Sequence, residues 1–292
     1  MNILILGSDG QLGMSFKKIS SEFSFKFNFK NKKQVDITNP KLSIFKEADF
    51  IINCAAYTNV DGAELDEKLA FEINSTSLHK LSEISNKLQA PLIHYSTDYL
   101  FNEINEDPIS ETCTPNPQSV YAKSKLSGEE VLSKNCDNYL IIRTSWVYSE
   151  YGKNFLKTII EKGLKGDELK VINDQIGSPT YAPDISRVTL SILNKMKKES
   201  FGKNLYHFSG DTHISWYQFS LKIKEEIEKK GMSFSLISPI STRDYVSKIM
   251  AQRPYYSVLD SSKVMSNYNV RESDFRNGIK NSIECFLSNH KL

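Results

Sequence analysis

No stretch of the 292 residues is apolar for long enough to cross a bilayer, which takes about 20 consecutive residues. Cysteine is scarce. Cys54, Cys113, Cys136 and Cys285 form neither a CxxC pair nor a zinc-like spacing, which fits reduced thiols in a cytosolic protein. Charge of one sign is also missing. Thirty-seven Lys and Arg against 35 Asp and Glu leave a formal charge of +2, so nothing argues for nucleic acid or a membrane surface as partner. The first seven residues, Met1 to Gly7, lack the length, basic start and cleavage site of a secretory signal. There is no internal repeat, proline-rich linker or low-complexity tail. The expectation is a soluble cytoplasmic protein, long enough for one large α/β domain or a large and a small one.

What is present begins with a buried strand. Residues 2–6 are continuously apolar and run into Gly7, Gly10 and Gly13 with Gln11 and Leu12 between them. Strand, glycine-rich turn and helix start form the setting in which backbone amides hold a pyrophosphate. The spacing is GxxGxxG rather than GxGxxG, so an ordinary βα turn stays open. A second strand is predicted over Ser24 to Asn28, followed by Lys30, Lys32 and Lys33. A basic cluster there suits the 2′-phosphate of NADPH over NADH, or is simply a solvated turn. Asp36 and Ile37 follow, in a position to border an adenine. Asp49 to Asn53 reads as the next strand. The small residues Ala55 and Ala56, before Tyr57, leave room at its carboxyl end for a flat ligand, or for tight helix packing. Helices are predicted over Glu64 to Ala70 and Asn74 to Gln89. Leu92 to Tyr95 is another buried strand, ending in Ser96, Thr97 and Asp98. A hydroxyl at such an end can meet a reacting carbonyl oxygen. His94 and Ser96 do not make a hydrolase, because there is no GxSxG elbow.

The most informative stretch is Ser119 to Lys125, which carries Tyr121 and Lys125 four residues apart. In a helix capped by Ser119, that spacing returns both side chains to one face. A free phenol titrates near pH ~10 and is a poor acid at neutrality. A cation about 4 Å away, at an effective dielectric of about 20, favours the phenolate by at most ~4 kcal/mol. That brings the phenol toward the range where general acid–base catalysis works. On its own a Tyr-x-x-x-Lys is common by chance.

Tyr139 to Thr144 supplies a further strand. Trp146 beyond it either stacks on a substrate ring or packs in the core. Five βα units in succession predict an α/β, Rossmann-type doubly wound parallel sheet. Residues 1–148 with about 185–210 would form the dinucleotide-binding domain. Residues 149–184, leaving the sheet after its sixth strand, would join 211–292 in a smaller C-terminal α/β substrate lobe. A helix is predicted over Ile185 to Lys198, Leu205 to Phe208 returns to the sheet edge, Phe219 to Glu228 is an amphipathic helix, and 232–292 is mixed. Arg253 would pair with a nucleotide diphosphate through its planar fork, or with a carboxylate as a structural ion pair.

The order of these motifs resembles the extended short-chain dehydrogenase/reductases, and more closely the dTDP-4-dehydrorhamnose reductases. The resemblance runs nearly end to end. It includes GSDGQLG near the start, INCAAYTNVDGAELDEKLAFEIN at 52–74, HYSTDYLF at 94–101, PNPQSVYAKSKLSGEE at 115–130, IIRTSWVY at 141–148, VINDQIGSPTYAPDI at 171–185 and QRPYYSVLD at 252–260. It implies NADPH-dependent reduction of the C4 keto group of dTDP-4-dehydro-L-rhamnose to dTDP-L-rhamnose, for surface polysaccharides. Tyr121 would protonate the keto oxygen. Lys125 would hold the nicotinamide ribose and lower the phenol's pKa. Thr97 would bind the same oxygen, with Asp98 and Trp146 as further substrate contacts. Gly10, Gln11 and Leu12 would meet the pyrophosphate, Asp36 and Ile37 the adenine, and Ala55, Ala56 and Tyr57 the inner cofactor. Members often carry an acidic residue after the second strand, where this chain is basic, so NADH is the lesser alternative. Some form magnesium-linked dimers through acidic residues. Pro183 and Asp184 stand where an acidic pair would be needed, so no structural metal is expected, and the protein would be a monomer or homodimer. The alternatives are another nucleotide-sugar 4-keto reductase or epimerase of the same fold, or a catalytically silent regulatory subunit.

Overall fold

A computed structural model of the chain describes residues 1–102, 107–196, 202–245 and 251–290. Its centre is a parallel sheet whose strands follow from alternation in short apolar runs. In β1 (Asn2–Leu6), Ile3 and Ile5 point to one face and Leu4 and Leu6 to the other, all at 1% exposure or less. Strands buried on both faces read as continuous apolar stretches, so period-two polarity is absent here. After β1 come α1 (Gln11–Ile19), β2 (Lys26–Lys30), β3 (Phe50–Asn53), α2 (Val60–Leu65), α3 (Glu67–Phe71), α4 (Ser77–Leu88), β4 (Leu92–Thr97), α5 (Val120–Asn135) and β5 (Tyr139–Thr144). The chain then leaves the sheet through β6 (Val147–Tyr148), α6 (Phe155–Lys165), β7 (Leu169–Ile172), β8 (Ile176–Gly177) and β9 (Thr180–Tyr181). It returns by α7 (Ala182–Lys195) to β10 (Lys203–His207), and ends with β11 (Ile214–Ser215), α8 (Trp216–Glu228), β12 (Ile237–Ile240), α9 (Thr242–Tyr245), α10 (Ser262–Tyr268) and α11 (Phe275–His290).

The sheet runs β10-β5-β4-β3-β1-β2, all parallel, in a Rossmann-type doubly wound arrangement. The chain departs after the fifth of these strands, and β10 is the sixth; the sequence reading had it leave after the sixth. Helices α1 and α7 cover the face holding Ile3, Ile5, Ile52, Ile93 and Ile142. Helices α4 and α5 cover the face holding Leu4, Leu6, Ile51, Leu92 and Ile141. The order of the strands reverses beside β1, so a crevice opens outside the carboxyl ends of β1 and β3. A separate apolar core forms from α6, α8 and α11 with β7 and β12, around Ile160, Phe219, Ile223 and Ile283.

Several boundaries differ from those read in the sequence. β2 is Lys26–Lys30, two residues later than expected. It is an edge strand whose phenylalanines Phe25, Phe27 and Phe29 alternate with polar residues, and that pattern allows several windows. The helix expected over Glu64 to Ala70 is split at Asp66, whose side chain caps α3 by accepting from the Leu69 amide at 3.0 Å. Glu72–Thr76 form a π-helical turn, so α4 starts at Ser77. Helix α7 starts at Ala182, with Pro183 in its first turn, where a missing N–H costs nothing. Its expected end at Lys198 lies outside the described residues. Among the described residues no helix is long and apolar enough to cross a membrane.

A buried polar cluster locks β5 between α5 and β10. Arg143 donates to Glu129 through Nε at 2.9 Å and Nη2 at 2.6 Å, and its Nη1 lies 3.3 Å from His207 Nε2. His207 Nδ1 faces the Ile109 carbonyl at 2.9 Å. A carbonyl only accepts, so Nδ1 carries the proton and Nε2 accepts from the guanidinium. Burial, and then the Arg143 cation, push the imidazole down to about 3. The unfolded imidazole titrates near 6.5, so the unfolded chain takes up a proton that the fold refuses. Stability from this group is therefore complete above about pH 6.5 and is lost at about 1.4 kcal/mol per pH unit below it. Replacing His207 by Gln is expected to flatten the acid limb of the urea-unfolding profile by about that slope between about pH 6 and 4, with no change of slope above pH 7. An unaltered acid slope would contradict a neutral buried imidazole.

Candidate active site

The site is built where β1, β3 and β4 end. Gly7 has φ +72°, and a Cβ there would lie 2.7 Å from the Ala55 amide nitrogen. A Cβ on Gly13 would lie 2.4 Å from the Gly7 carbonyl oxygen. Only glycine lets the helix approach the strand so closely. The Gly10 amide donates to Gly7 at 3.0 Å, closing the turn, and Gly10 caps α1 without a side chain. The first amides of α1, at Gln11, Leu12 and Gly13, thus stand at a bare helix N-terminus of the kind that holds phosphate. The Ser8 amide donates to the Lys30 carbonyl at 3.1 Å, so the end of β2 adjoins the turn. Lys30 is half-buried; Lys32 and Lys33 are exposed.

Three expected contacts are used differently. The Gln11 side chain donates to the Val147 carbonyl at 3.0 Å and accepts from Asn154 at 2.6 Å, tying the turn to the segment after β5. Asp36 is exposed and accepts from the Thr38 amide and hydroxyl, which hold it below its ordinary range. Ile37 is buried in the core under the sheet rather than open to a ligand. Ala55 is half-buried and Ala56 exposed, and Tyr57 bonds through its backbone to both ends of the Asn74 amide.

Helix α5 begins as its sequence implies. The Ser119 hydroxyl accepts from the Ala122 amide at 3.2 Å, and Glu64 accepts from the Val120 amide at 2.8 Å. The helix lies close to the π-helical turn, because a Cβ on Gly128 would sit 2.2 Å from the Asn74 carbonyl oxygen. Tyr121 and Lys125 consequently both face β4. The Lys125 amine donates to the Tyr95 carbonyl at 2.6 Å and lies 3.1 Å from His94 Nε2. The Tyr121 ring meets Tyr99 edge to face at 5.9 Å, and its hydroxyl is hydrogen-bonded to Thr97. Thr97 donates to Asp98 at 3.1 Å, so the phenol is the donor to Thr97 and keeps its proton. Asp98 also accepts from Ser145 at 2.8 Å and from Ser257. Burial raises the Asp98 carboxyl to about 6 despite those three hydroxyls. The Tyr121 phenol is pushed up to about 12, by burial first and by the nearby Asp98 charge, against a Thr97 hydroxyl that would donate to the phenolate. The Lys125 amine is brought down to about 8 by burial, against the pull of Glu129.

Trp146 and Arg253 resolve toward packing. The Trp146 indole stacks on Trp216 with ring centroids 3.5 Å apart and a 3° tilt, and a Cβ on Gly177 would lie 2.4 Å from it. It is 9% exposed and part of the second core, so its faces are not free for a substrate ring. Its φ of +45° is strained for so bulky a residue and marks where the chain turns out of the sheet. Arg253 donates to Asp61 at 2.8 Å and to the Ala251 carbonyl at 3.1 Å, and bonds the Tyr99 hydroxyl. The ion pair is the alternative realised, though through Tyr99 it still borders Tyr121. Among the described residues no three His, Cys, Asp or Glu side chains converge as metal ligands. The residues that sequence reasoning missed are Asn53, His94, Asn74, Ser145 and Ser257. Period two along β4 puts His94 on the side of Leu92, which was readable; that a lysine waits there was not.

Comparison with known proteins agrees with this geometry. The profile of the family described as RmlD substrate binding domain matches residues 1–288. A dTDP-4-dehydrorhamnose reductase of Aggregatibacter actinomycetemcomitans is 36% identical over 288 residues, covering 96% of this chain and 97% of its own. The crystal structure of a dTDP-4-dehydrorhamnose reductase from Clostridium acetobutylicum superposes with a TM-score of 0.88 at 33% identity, covering 97% and 99%. That of the Bacillus anthracis dTDP-4-dehydrorhamnose reductase in complex with NADP gives 0.86 at 31% identity, covering 97% and 98%.

The two stacked tryptophans are the only ones in the chain, which gives a direct readout. Their exciton-coupled circular dichroism should vanish in a Trp216→Phe protein. A Gly177→Ala change should distort that signal and destabilise the fold by about 1–3 kcal/mol through overpacking. A wild-type spectrum without coupling would contradict the stack.

Proposed function

The chain belongs to the RmlD substrate binding domain family, and we propose that it works as a dTDP-4-dehydrorhamnose reductase. It reduces the C4 keto group of dTDP-4-dehydro-L-rhamnose to dTDP-L-rhamnose, a donor for surface polysaccharide synthesis, using NADPH. The observation that carries this reading is the placement of Tyr121 and Lys125, one turn apart on α5, against the carboxyl-terminal half of β4.

The residues at the crevice fit a dinucleotide. Gly7 and Gly13 are positions that a Cβ would fill. The amides of Gly10, Gln11, Leu12 and Gly13 would receive the pyrophosphate, Lys30 the 2′-phosphate, and Ala55, Ala56 and Tyr57 the inner end. Asp36 would border the adenine, with Ile37 supporting it from the core. Ser96 Oγ and Thr144 Oγ1 are buried without a partner among the described residues, at neighbouring strand ends where a polar ligand would satisfy them. NADPH supplies the hydride when bound. Tyr121 gives its proton to the developing C4 oxygen, and Thr97 orients that oxygen. Asp98 keeps the phenol protonated until then, because a carboxylate next to it opposes a second negative charge. Lys125 holds the ribose. Trp146 shapes the cleft wall from within the core, and Arg253 reaches the substrate side through Tyr99.

The same proposal divides the chain into a dinucleotide-binding domain, 1–148 with about 185–210, and a substrate lobe, about 149–184 with 211–292. The separate apolar core of the latter segments supports that division. It takes a nucleotide sugar as the partner, with no nucleic acid and no membrane, in a cytoplasmic monomer or homodimer. A same-fold epimerase would return its hydride, so one NADPH consumed per sugar reduced is the expected stoichiometry. Tyr121→Phe is expected to lose about 10²–10⁴-fold in turnover while binding NADPH nearly as before. Near-normal turnover in that variant would overturn the assignment.

A further inference from the structure

Asn53, His94 and Lys125 form a buried line from the end of β3 across β4 to α5, each at 2% exposure or less. Their hydrogen bonds can be assigned one after another. Asn53 Oδ1 accepts from the Ala55 amide at 3.1 Å, and a backbone amide can only donate. The Asn53 Nδ2 group is therefore the one that faces His94 Nδ1, at 3.3 Å. An amide nitrogen also only donates, so Nδ1 accepts. His94 is neutral, since burial first of all holds it well below its ordinary value, and a cationic Lys125 would only lower it further. Its single proton then sits on Nε2, aimed at Lys125 Nζ 3.1 Å away. An ammonium has no lone pair to receive it. A free amine does, and still donates to the Tyr95 carbonyl.

We propose that Asn53 and His94 act as a positioning pair that favours the free amine of Lys125 over the ammonium in the cofactor-free enzyme, so that binding of NADPH on the alkaline side of neutrality draws a proton from solvent onto Nζ. This rests on the reading of the site given above. With the amine charged, the line of hydrogen bonds meets donor against donor at one link or the other. With the amine neutral, each link of the line joins one donor to one acceptor. Other charged or titratable groups nearby are Glu129, paired to Arg143, on α5 and β5; Tyr121 one turn earlier on α5; Tyr95 and Asp98 at the end of β4; and Cys54 after β3. Burial lowers Lys125, against Glu129, which favours the ammonium. Ribose hydroxyls brought to Nζ are acceptors that reward its third proton, and the charge then becomes available to the phenol.

The test is calorimetry of NADPH binding to the full chain at pH 8.5, in two buffers of different ionisation enthalpy. With Nζ titrating at about 8, roughly three-quarters of cofactor-free molecules carry a free amine there. An uptake of more than about half a proton per site is expected, falling close to zero at pH 6.5. Lys125→Met should abolish it. His94→Gln offers a carbonyl oxygen to the ammonium. Asn53→Asp turns the imidazole over, so that Nε2 accepts. Either variant should cut the uptake at pH 8.5 several-fold while NADPH still binds; a purely structural role would weaken binding without moving the uptake. Wild-type binding with no net uptake at pH 8.5, or wild-type uptake retained in both variants, overturns the proposal. Failure of the wild-type chain to bind NADPH at all would instead overturn the cofactor reading, and this inference with it.

Discussion

The bond from the Lys125 amine to the Tyr95 carbonyl, 2.6 Å long, sets how α5 lies against the sheet. A long amine taken out of water must find acceptors or lose several kcal/mol. At the end of a parallel strand, the carbonyls left free by the last ladder bond are the acceptors on offer. Once Nζ is docked there, helix geometry brings the residue one turn earlier, Tyr121, to the hydroxyl of Thr97 at the strand terminus. Gly128 and Asn74 allow the helix to approach closely enough for this. Asn74 bonds Ser124 at 3.0 Å as well as the backbone of Tyr57, so the loop after β3 is carried along. A chemical pair has become a structural one: the lysine positions the tyrosine before it does anything electrostatic.

The second constraint is how the crevice is joined to the chain beyond β5. Gln11 bonds both Val147 and Asn154, and Lys18 on α1 reaches Glu150 at 2.5 Å and the Tyr181 hydroxyl at 3.0 Å. The Glu150 side chain has no exposed surface, so its charge is compensated by Lys18 and Tyr181 and is costly to separate from them. These ties run from the helix after the glycine turn to the segment that leads into the second core. Asp98 makes a similar joint, gathering hydroxyls from the ends of β4 and β5 and from Ser257 in the C-terminal part. The reacting groups thus sit where three stretches far apart in sequence are pinned to one another.

Much of this was legible in the residues. The buried strands announce themselves as apolar runs, the glycine spacing marks the crevice, and Ser119 with the Tyr121 to Lys125 interval marks the helix that matters. Other features depend on distant contacts. The edge strand β2 could slide by two residues in the reading because its Phe and polar positions alternate, and a two-residue shift keeps the same face on the core. Trp146 looked equally suited to a ligand or to a core until Trp216, seventy residues on, supplied the stacking partner. Arg253 had two candidate anions, and Asp61, far upstream, is the one it meets. His94 lay in full view on β4, but its meaning comes from an asparagine on one neighbouring element and a lysine on another.

The central claim is that one helix face delivers a phenol and an amine jointly to a nicotinamide crevice. Its most direct measurement is the ultraviolet difference titration of the Tyr121 phenolate, wild type against Tyr121→Phe, with and without bound NADP. A phenol that titrates near about 12 in the free protein, and clearly lower once the cofactor is bound, is the result expected. The same midpoint in both states would mean that the amine and the phenol share a helix but not a function.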